Sequence, residues 1–113
     1  MALHDQYRVL VVEDDPDIRR ILQLFLRERD FSVTTAENAT VALGALAEAP
    51  VDLILSDVRM PGMSGIELLH QIREHDPDVQ LVLMTAYSSV KDAVEAIQAG
   101  ATDYIEKPID FRR

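Results

Sequence analysis

Apolar positions along the chain follow two rhythms that alternate from end to end. RVLVV (8–12) is a short continuous apolar run, the mark of a strand covered on both faces. Ile18, Ile21, Leu22, Phe25 and Leu26 then recur at i, i+3, i+4, i+7 and i+8, which predicts a helix with that set turned inward. Asp15 is suited to cap it and Pro16 to be its first residue. FSVTTA (31–36) alternates as a strand, and Asn38 can cap a helix of small residues from Ala39 to about Ala49. VDLILS (51–56) predicts a central buried strand. Ser64 and Glu67 form a capping box that opens a helix with Ile66, Leu69 and Ile72 inward. VQLVLM (79–84) is a fourth strand. Ser89 and Asp92 start a further helix with Val90, Ala93, Val94 and Ile97 inward, ended by Gly100. TDYIE (102–106) is a fifth strand, stopped by Lys107-Pro108.

Strand and helix in regular alternation, with short connections, predict an α/β fold: a parallel sheet, right-handed crossovers and helices on both faces. Such sheets gather their functional residues at the carboxyl ends of the strands, where strand order reverses. The pattern supplies complete helices after the first four strands, and IDFRR (109–113) reads as the first turn of a fifth. A last helix that is truncated or missing is therefore expected. It would leave apolar surface on that face of the sheet and a tendency to self-associate.

The length of 113 residues suits one domain spanning 1–113, which is expected to be the N-terminal part of a longer protein. Acidic residues outnumber basic ones by 20 to 11, a net charge of −9, which excludes a basic surface for nucleic acid or anionic lipid. Without cysteine there is no disulfide framework and no thiolate metal site. MALHDQYR lacks the basic flank and apolar core of a signal peptide, and no apolar run approaches the roughly 20 residues that span a bilayer. The expected location is the cytoplasm.

Charge becomes informative once it is placed on this topology. Glu13, Asp14 and Asp15 follow the first strand, Asp57 the third, Thr85 and Ala86 the fourth, and Lys107 the fifth. In a parallel sheet these converge on one cleft. Clustered carboxylates repel and raise each other's pKa, which a hard divalent cation relieves. Oxygen ligands without His or Cys point to Mg²⁺. Lys107 can pair with Asp57 or with an anion attached to it, and Thr85 offers a hydroxyl. Asp57, compensated in this way, is a candidate nucleophile toward phosphorus, forming an acyl phosphate. Mg²⁺, Lys107 and Thr85 would stabilise charge on the transferring phosphoryl oxygens. Arg59 and Tyr87 lie two residues beyond Asp57 and Thr85 and flank the mouth, where their bulk and charge can limit access of water.

VLVVEDDPDIR, DLILSDVRMPGMSGIELL, LVLMTAYSS and DYIEKP, in that order, resemble the receiver domains of bacterial two-component response regulators. The resemblance covers essentially the whole chain apart from a last helix. It implies a flavodoxin-like (βα)5 three-layer sandwich with strand order 2-1-3-4-5, and a phosphorylation-dependent signalling switch. Asp57 would accept a phosphoryl group from the histidine of a sensor kinase. Glu13 and Asp14 would hold Mg²⁺ together with Asp57 and the main-chain carbonyl of Arg59. Thr85 and Lys107 would contact the phosphoryl group, and Thr85 and Tyr104 would carry the switch. The Lys107-Pro108 bond would be cis. MTAYSSVKDAVEAIQAGATDYIEKPID is most similar to receivers of the nitrogen-regulation class of sigma-54 activators, which sit ahead of an AAA+ ATPase module and a DNA-binding domain. A homodimer is a further expectation.

Other readings compete. Asp15 is read as a helix cap and not a metal ligand, Tyr104 as switch or plain core packing, and His4, His70 and His75 as surface residues. A Mg²⁺-dependent phosphatase or phosphotransferase with an aspartyl nucleophile is the main alternative function. Such hydrolases usually carry an acid two positions after the nucleophile, where this chain has Arg59. A flavin-binding domain of similar fold would want a Ser-, Thr- and Gly-rich loop after the first strand. The acidic residues 13–15 would repel a cofactor phosphate.

Overall fold

Period-two alternation within each strand decides which layer every core residue joins. The protein is described by a computed structural model over residues 6–85 and 90–107. Its elements are β1 (Arg8–Val12), α1 (Pro16–Glu28), β2 (Ser32–Ala36), α2 (Ala39–Glu48), β3 (Leu53–Asp57), α3 (Gly65–His75), β4 (Gln80–Thr85), α4 (Val90–Gln98) and β5 (Asp103–Glu106). All strand pairs are parallel and the order is β2–β1–β3–β4–β5, as expected. Leu10, Val12, Ile54, Leu81 and Leu83 face one way, against Ala39 and Ala42 of α2, Leu68, Leu69 and Ile72 of α3, and Ala96 of α4. Val9, Val11, Leu55 and Met84 face the other way, against Leu22 of α1, with Ile18 and Leu26 at its edge. The sheet lies between two helical layers.

Local signals in the sequence are realised closely. Asp15 Oδ1 accepts from the N–H groups of Asp17 (2.9 Å) and Ile18 (3.3 Å), so Asp15 is the α1 cap. Asn38 caps α2 through Val41 N–H at 2.8 Å. The α3 capping box is closed from both sides, Glu67 N–H to Ser64 Oγ at 3.2 Å and Ser64 N–H to Glu67 Oε1 at 3.0 Å. Gly100, at φ +106°, turns the chain out of α4. Ser89, Pro108 and the 109–113 segment, on which a capping pair, a cis bond and a fifth helix were expected, lie outside the described residues.

Four details differ from the expectation. Strands β3 and β4 run one residue further, so Asp57 and Thr85 are their last residues. Ladder pairing continues to Asp57–Met84 and Thr85–Glu106, which holds both backbones in the sheet. On α1, Ile21 is 54% exposed, and the buried line runs through Leu22 instead. On α4, Val94 and Ile97 are half exposed, while Ala96 is buried with Ala93 and Ala99 partly covered. Small residues let α4 approach the sheet closely, which turns its larger apolar side chains outward. On α3 the inward line also includes Leu68, with Ile66 only half-buried. Among the described residues, no helix is long and apolar enough to cross a membrane.

Candidate functional site

Register alone brings the acidic residues together. Val12 pairs with Ser56, so the next residues, Glu13 and Asp57, stand side by side at the carboxyl edge of adjacent strands. Glu13 N–H remains bonded to Ala36 O at 3.0 Å, which extends β1's pairing by one residue. On the other side, Lys107 N–H donates to Thr85 O at 2.7 Å and so returns Lys107 toward the cleft. The side chains then converge. Lys107 Nζ lies 2.5 Å from Glu13 Oε1 and 3.4 Å from Asp57 Oδ2. Carboxylate oxygens of Glu13, Asp14 and Asp57 all lie within 4.8 Å of one another.

Burial divides these groups. Glu13 and Asp57 are 1% and 7% exposed, Thr85 is buried at the end of the adjacent strand β4, and Asp14 is open to solvent. Burial pushes the Glu13 carboxyl up to about 6, and the Asp57 charge adds to this, against the Lys107 ammonium and the Asp15 N–H. Lys107 is held above its ordinary value: burial works against its charge, but the Glu13 hydrogen bond and the Asp57 carboxylate outweigh it.

The donor set is oxygen only, with one partly solvated carboxylate and two buried ones. That chemistry fits a hard divalent cation that keeps some of its waters, the behaviour of Mg²⁺. The cluster is open on the Asp14 side, where such waters and an incoming ligand can reach it.

The other expected residues fall as follows. Arg59 is exposed, two residues beyond Asp57. Tyr104 is half-buried against the α2–α4 side of the core and its hydroxyl is shielded from solvent, so core packing accounts for part of its place. Tyr87 and Ala86 lie outside the described residues. His70 and His75 are exposed, as expected.

Two contacts were not legible beforehand. Arg19 Nη1 donates to the main-chain oxygen of Glu13 at 2.9 Å and ties the acidic loop to α1. Lys107 meets Asp57 as expected, at 3.4 Å, and in addition approaches Glu13 more closely, at 2.5 Å. Neither has a spacing signature: the first depends on how α1 is set against the end of β1, the second on how far apart the ends of β1 and β5 lie.

The chain matches the response regulator receiver domain family over residues 9–113 and belongs to that family. It is 46% identical over 107 residues to the transcriptional regulatory protein ZraR of Klebsiella oxytoca, covering 95% of this chain and 24% of that protein. It is 46% identical over 103 residues to the DNA-binding transcriptional regulator NtrC of Salmonella typhimurium, covering 91% and 22%. The similarity to the nitrogen-regulation class is thus present in the sequence, although the chain spans only about a quarter of these curated relatives. Among solved structures, the Vibrio cholerae chemotaxis protein CheY4 superposes with a TM-score of 0.90 at 29% identity, covering 95% of this chain and 91% of that one. FixJ-N superposes with a TM-score of 0.84 at 33% identity, covering 94% and 85%.

Proposed function

We propose that this receiver domain is a phosphoacceptor switch in which Asp57 takes a phosphoryl group from the phosphohistidine of a sensor kinase. The observation that carries this is the meeting of Glu13, Asp14, Asp57 and Lys107 at one sheet edge, with Asp57 buried on one side and the cleft open at Asp14. A carboxylate oxygen of Asp57 attacks phosphorus, the P–N bond of the donor breaks, and the imidazole nitrogen keeps the electron pair and takes a proton. The product is an acyl phosphate, later returned to a carboxylate by water. Glu13 and Asp14 would hold Mg²⁺, with Asp57 and the main-chain carbonyl of Arg59. The ion would supply charge neutralisation on the phosphoryl oxygens. Lys107 supplies a second positive charge and Thr85 a hydroxyl donor at the same place.

Thr85 and Tyr104 would carry the response, the hydroxyl moving toward the phosphoryl group and the ring following inward. The change shifts a two-state equilibrium on the α4–β5 surface, which an output domain reads. By likeness to the relatives, that output is transcriptional, with an AAA+ ATPase and a DNA-binding module in cis, and the place of action is the cytoplasm. Residues 1–113 would be the N-terminal domain of that longer regulator. Phosphorylation-linked homodimer formation belongs to the same reading. Arg59, where an aspartyl-nucleophile hydrolase would have its general acid, speaks for a regulator and against turnover of external substrates.

Intact mass after incubation with acetyl phosphate and Mg²⁺ tests this. The expected result is one added phosphoryl group that EDTA prevents and that is absent from Asp57→Asn. An unmodified native protein, or modification that survives Asp57→Asn, would overturn it.

A further inference from the structure

The main chain around Asp57 is enclosed in a way that the phosphoacceptor chemistry above does not use. Gly65, the first residue of α3, is buried and has its Cα directly against the Asp57 peptide. A methyl group added there would overlap the Asp57 carbonyl oxygen, and would lie 3.0 Å from Val58 Cα and 3.1 Å from the Asp57 carbonyl carbon. All three neighbours are backbone atoms inside or next to a paired strand, so none can give way as a flexible side chain would. Gly65 N–H also donates to Val58 O at 2.8 Å, which closes the 58–64 loop onto its own start. From the strand side, the fully buried Ser56 Oγ donates to the same Asp57 carbonyl oxygen at 3.0 Å. Ser56 is the single polar residue among the buried positions 54–56 of β3, and this is the contact its hydroxyl makes. Beyond the Asp57 peptide, Val58 N–H donates to Met84 O at 2.9 Å, so the sheet anchors the next residue too.

We infer that Gly65 and Ser56 form a clamp on the main-chain carbonyl of Asp57, and that they are positioning residues for the acceptor carboxylate. The inference rests on the phosphoacceptor reading and deepens it. The side-chain direction at Asp57 follows from its backbone dihedrals, and a carboxylate in a cation site and an in-line attack must be aimed to a fraction of an ångström. The absence of a side chain at Gly65 lets α3 begin close enough to wall the carbonyl. The Ser56 hydroxyl holds the carbonyl's orientation within the strand. The same clamp fixes the start of the loop that carries Arg59.

Four variants of the protein separate aim from stability: Gly65→Ala and Ser56→Ala at the clamp, with Ser64→Ala and Gly44→Ala as controls. Ser64→Ala removes the α3 cap without touching Asp57. Gly44 lies in α2 with nothing within 4 Å of an added methyl. Three quantities are read for each: Mg²⁺ affinity by titration without phosphodonor, the rate of phosphoryl uptake from acetyl phosphate at saturating Mg²⁺, and thermal stability. Gly65→Ala is expected to slow uptake by about tenfold or more and to weaken Mg²⁺ binding, and Ser56→Ala to do so by about threefold. Both controls should keep uptake and Mg²⁺ affinity within about twofold, although Ser64→Ala melts earlier. Native uptake and native Mg²⁺ affinity in both clamp variants would overturn the inference, as would an equal loss in Ser64→Ala. If Gly65→Ala does not fold, Ser56→Ala decides. If the native protein takes up no phosphoryl group, the functional reading fails, and the Mg²⁺ comparison still decides whether the clamp aims the carboxylate.

Discussion

The ammonium of Lys107 lies 2.5 Å from Glu13 Oε1, across 94 residues of chain, and further from Asp57. Lys107 therefore supplies, in the metal-free protein, part of the positive charge that a divalent cation would bring to Glu13. A cation bound at Glu13 would compete with the Glu13–Lys107 pair for one carboxylate and would leave Lys107 its contact with Asp57. Lys107→Met should consequently bind Mg²⁺ more tightly, by about threefold to tenfold, while its phosphoryl uptake falls. A Mg²⁺ titration of the two proteins checks this, and weaker binding in the variant would show that Lys107 does not compete.

Glu13 makes the metal-free protein sensitive to pH. Its carboxyl is raised from 4.5 to about 6 on folding, so the folded state holds a proton that the unfolded state has lost. The sign is destabilising: no penalty below about 4.5, a growing one as pH rises to about 6, and a constant one above. The loss amounts to about 2 kcal/mol. Urea unfolding at pH 4.5 and 6.5, without metal, should show this drop in the native protein and not in Glu13→Gln. Mg²⁺ affinity should run the other way and decline as pH falls through about 6, because protons then occupy Glu13.

Neighbouring residues of α1 should differ sharply in what they contribute. Leu22 is 2% exposed in the core against Val9, Val11 and Met84, whereas Ile21 is mostly exposed. Leu22→Ala should cost about 3 kcal/mol through lost burial and a cavity, and Ile21→Ala less than about 0.5 kcal/mol. Equal losses in chemical denaturation would mean that α1 is rotated from the position described.

Asp30 closes the turn after α1 in the left-handed region, at φ +67°, while its N–H donates to Arg27 O at 3.0 Å. A residue with a Cβ is strained there, although Asp tolerates it better than most. Asp30→Gly keeps both main-chain bonds of this turn, including the one that Asp30 O accepts from Gln6 Nε2. It should raise stability by about 0.5 kcal/mol, net of the extra freedom glycine has in the unfolded chain. A lower melting temperature in the variant would show that the aspartate side chain contributes more than the strain removes.

Sequence alone determined the elements and the edge on which the chemistry lies. Apolar runs and caps such as Asp15, Asn38 and the Ser64–Glu67 box are local properties: hydrogen bonds within a turn and burial on a strand face are written in consecutive residues. Parallel topology then places Glu13, Asp14, Asp57, Thr85 and Lys107 at strand ends. Tertiary structure decided everything that depends on distance between elements. A helical period names a stripe but not the rotation of the helix against the sheet. That is why Ile21, Val94 and Ile97 face outward and Leu22, Leu68 and Ala96 inward. The closer approach of Lys107 to Glu13 than to Asp57, the Arg19 tie to the Glu13 carbonyl and the seat of Gly65 against Asp57 follow from the spacing of strand and helix ends. That spacing is set by how all the layers pack at once, and no stretch of consecutive residues encodes it.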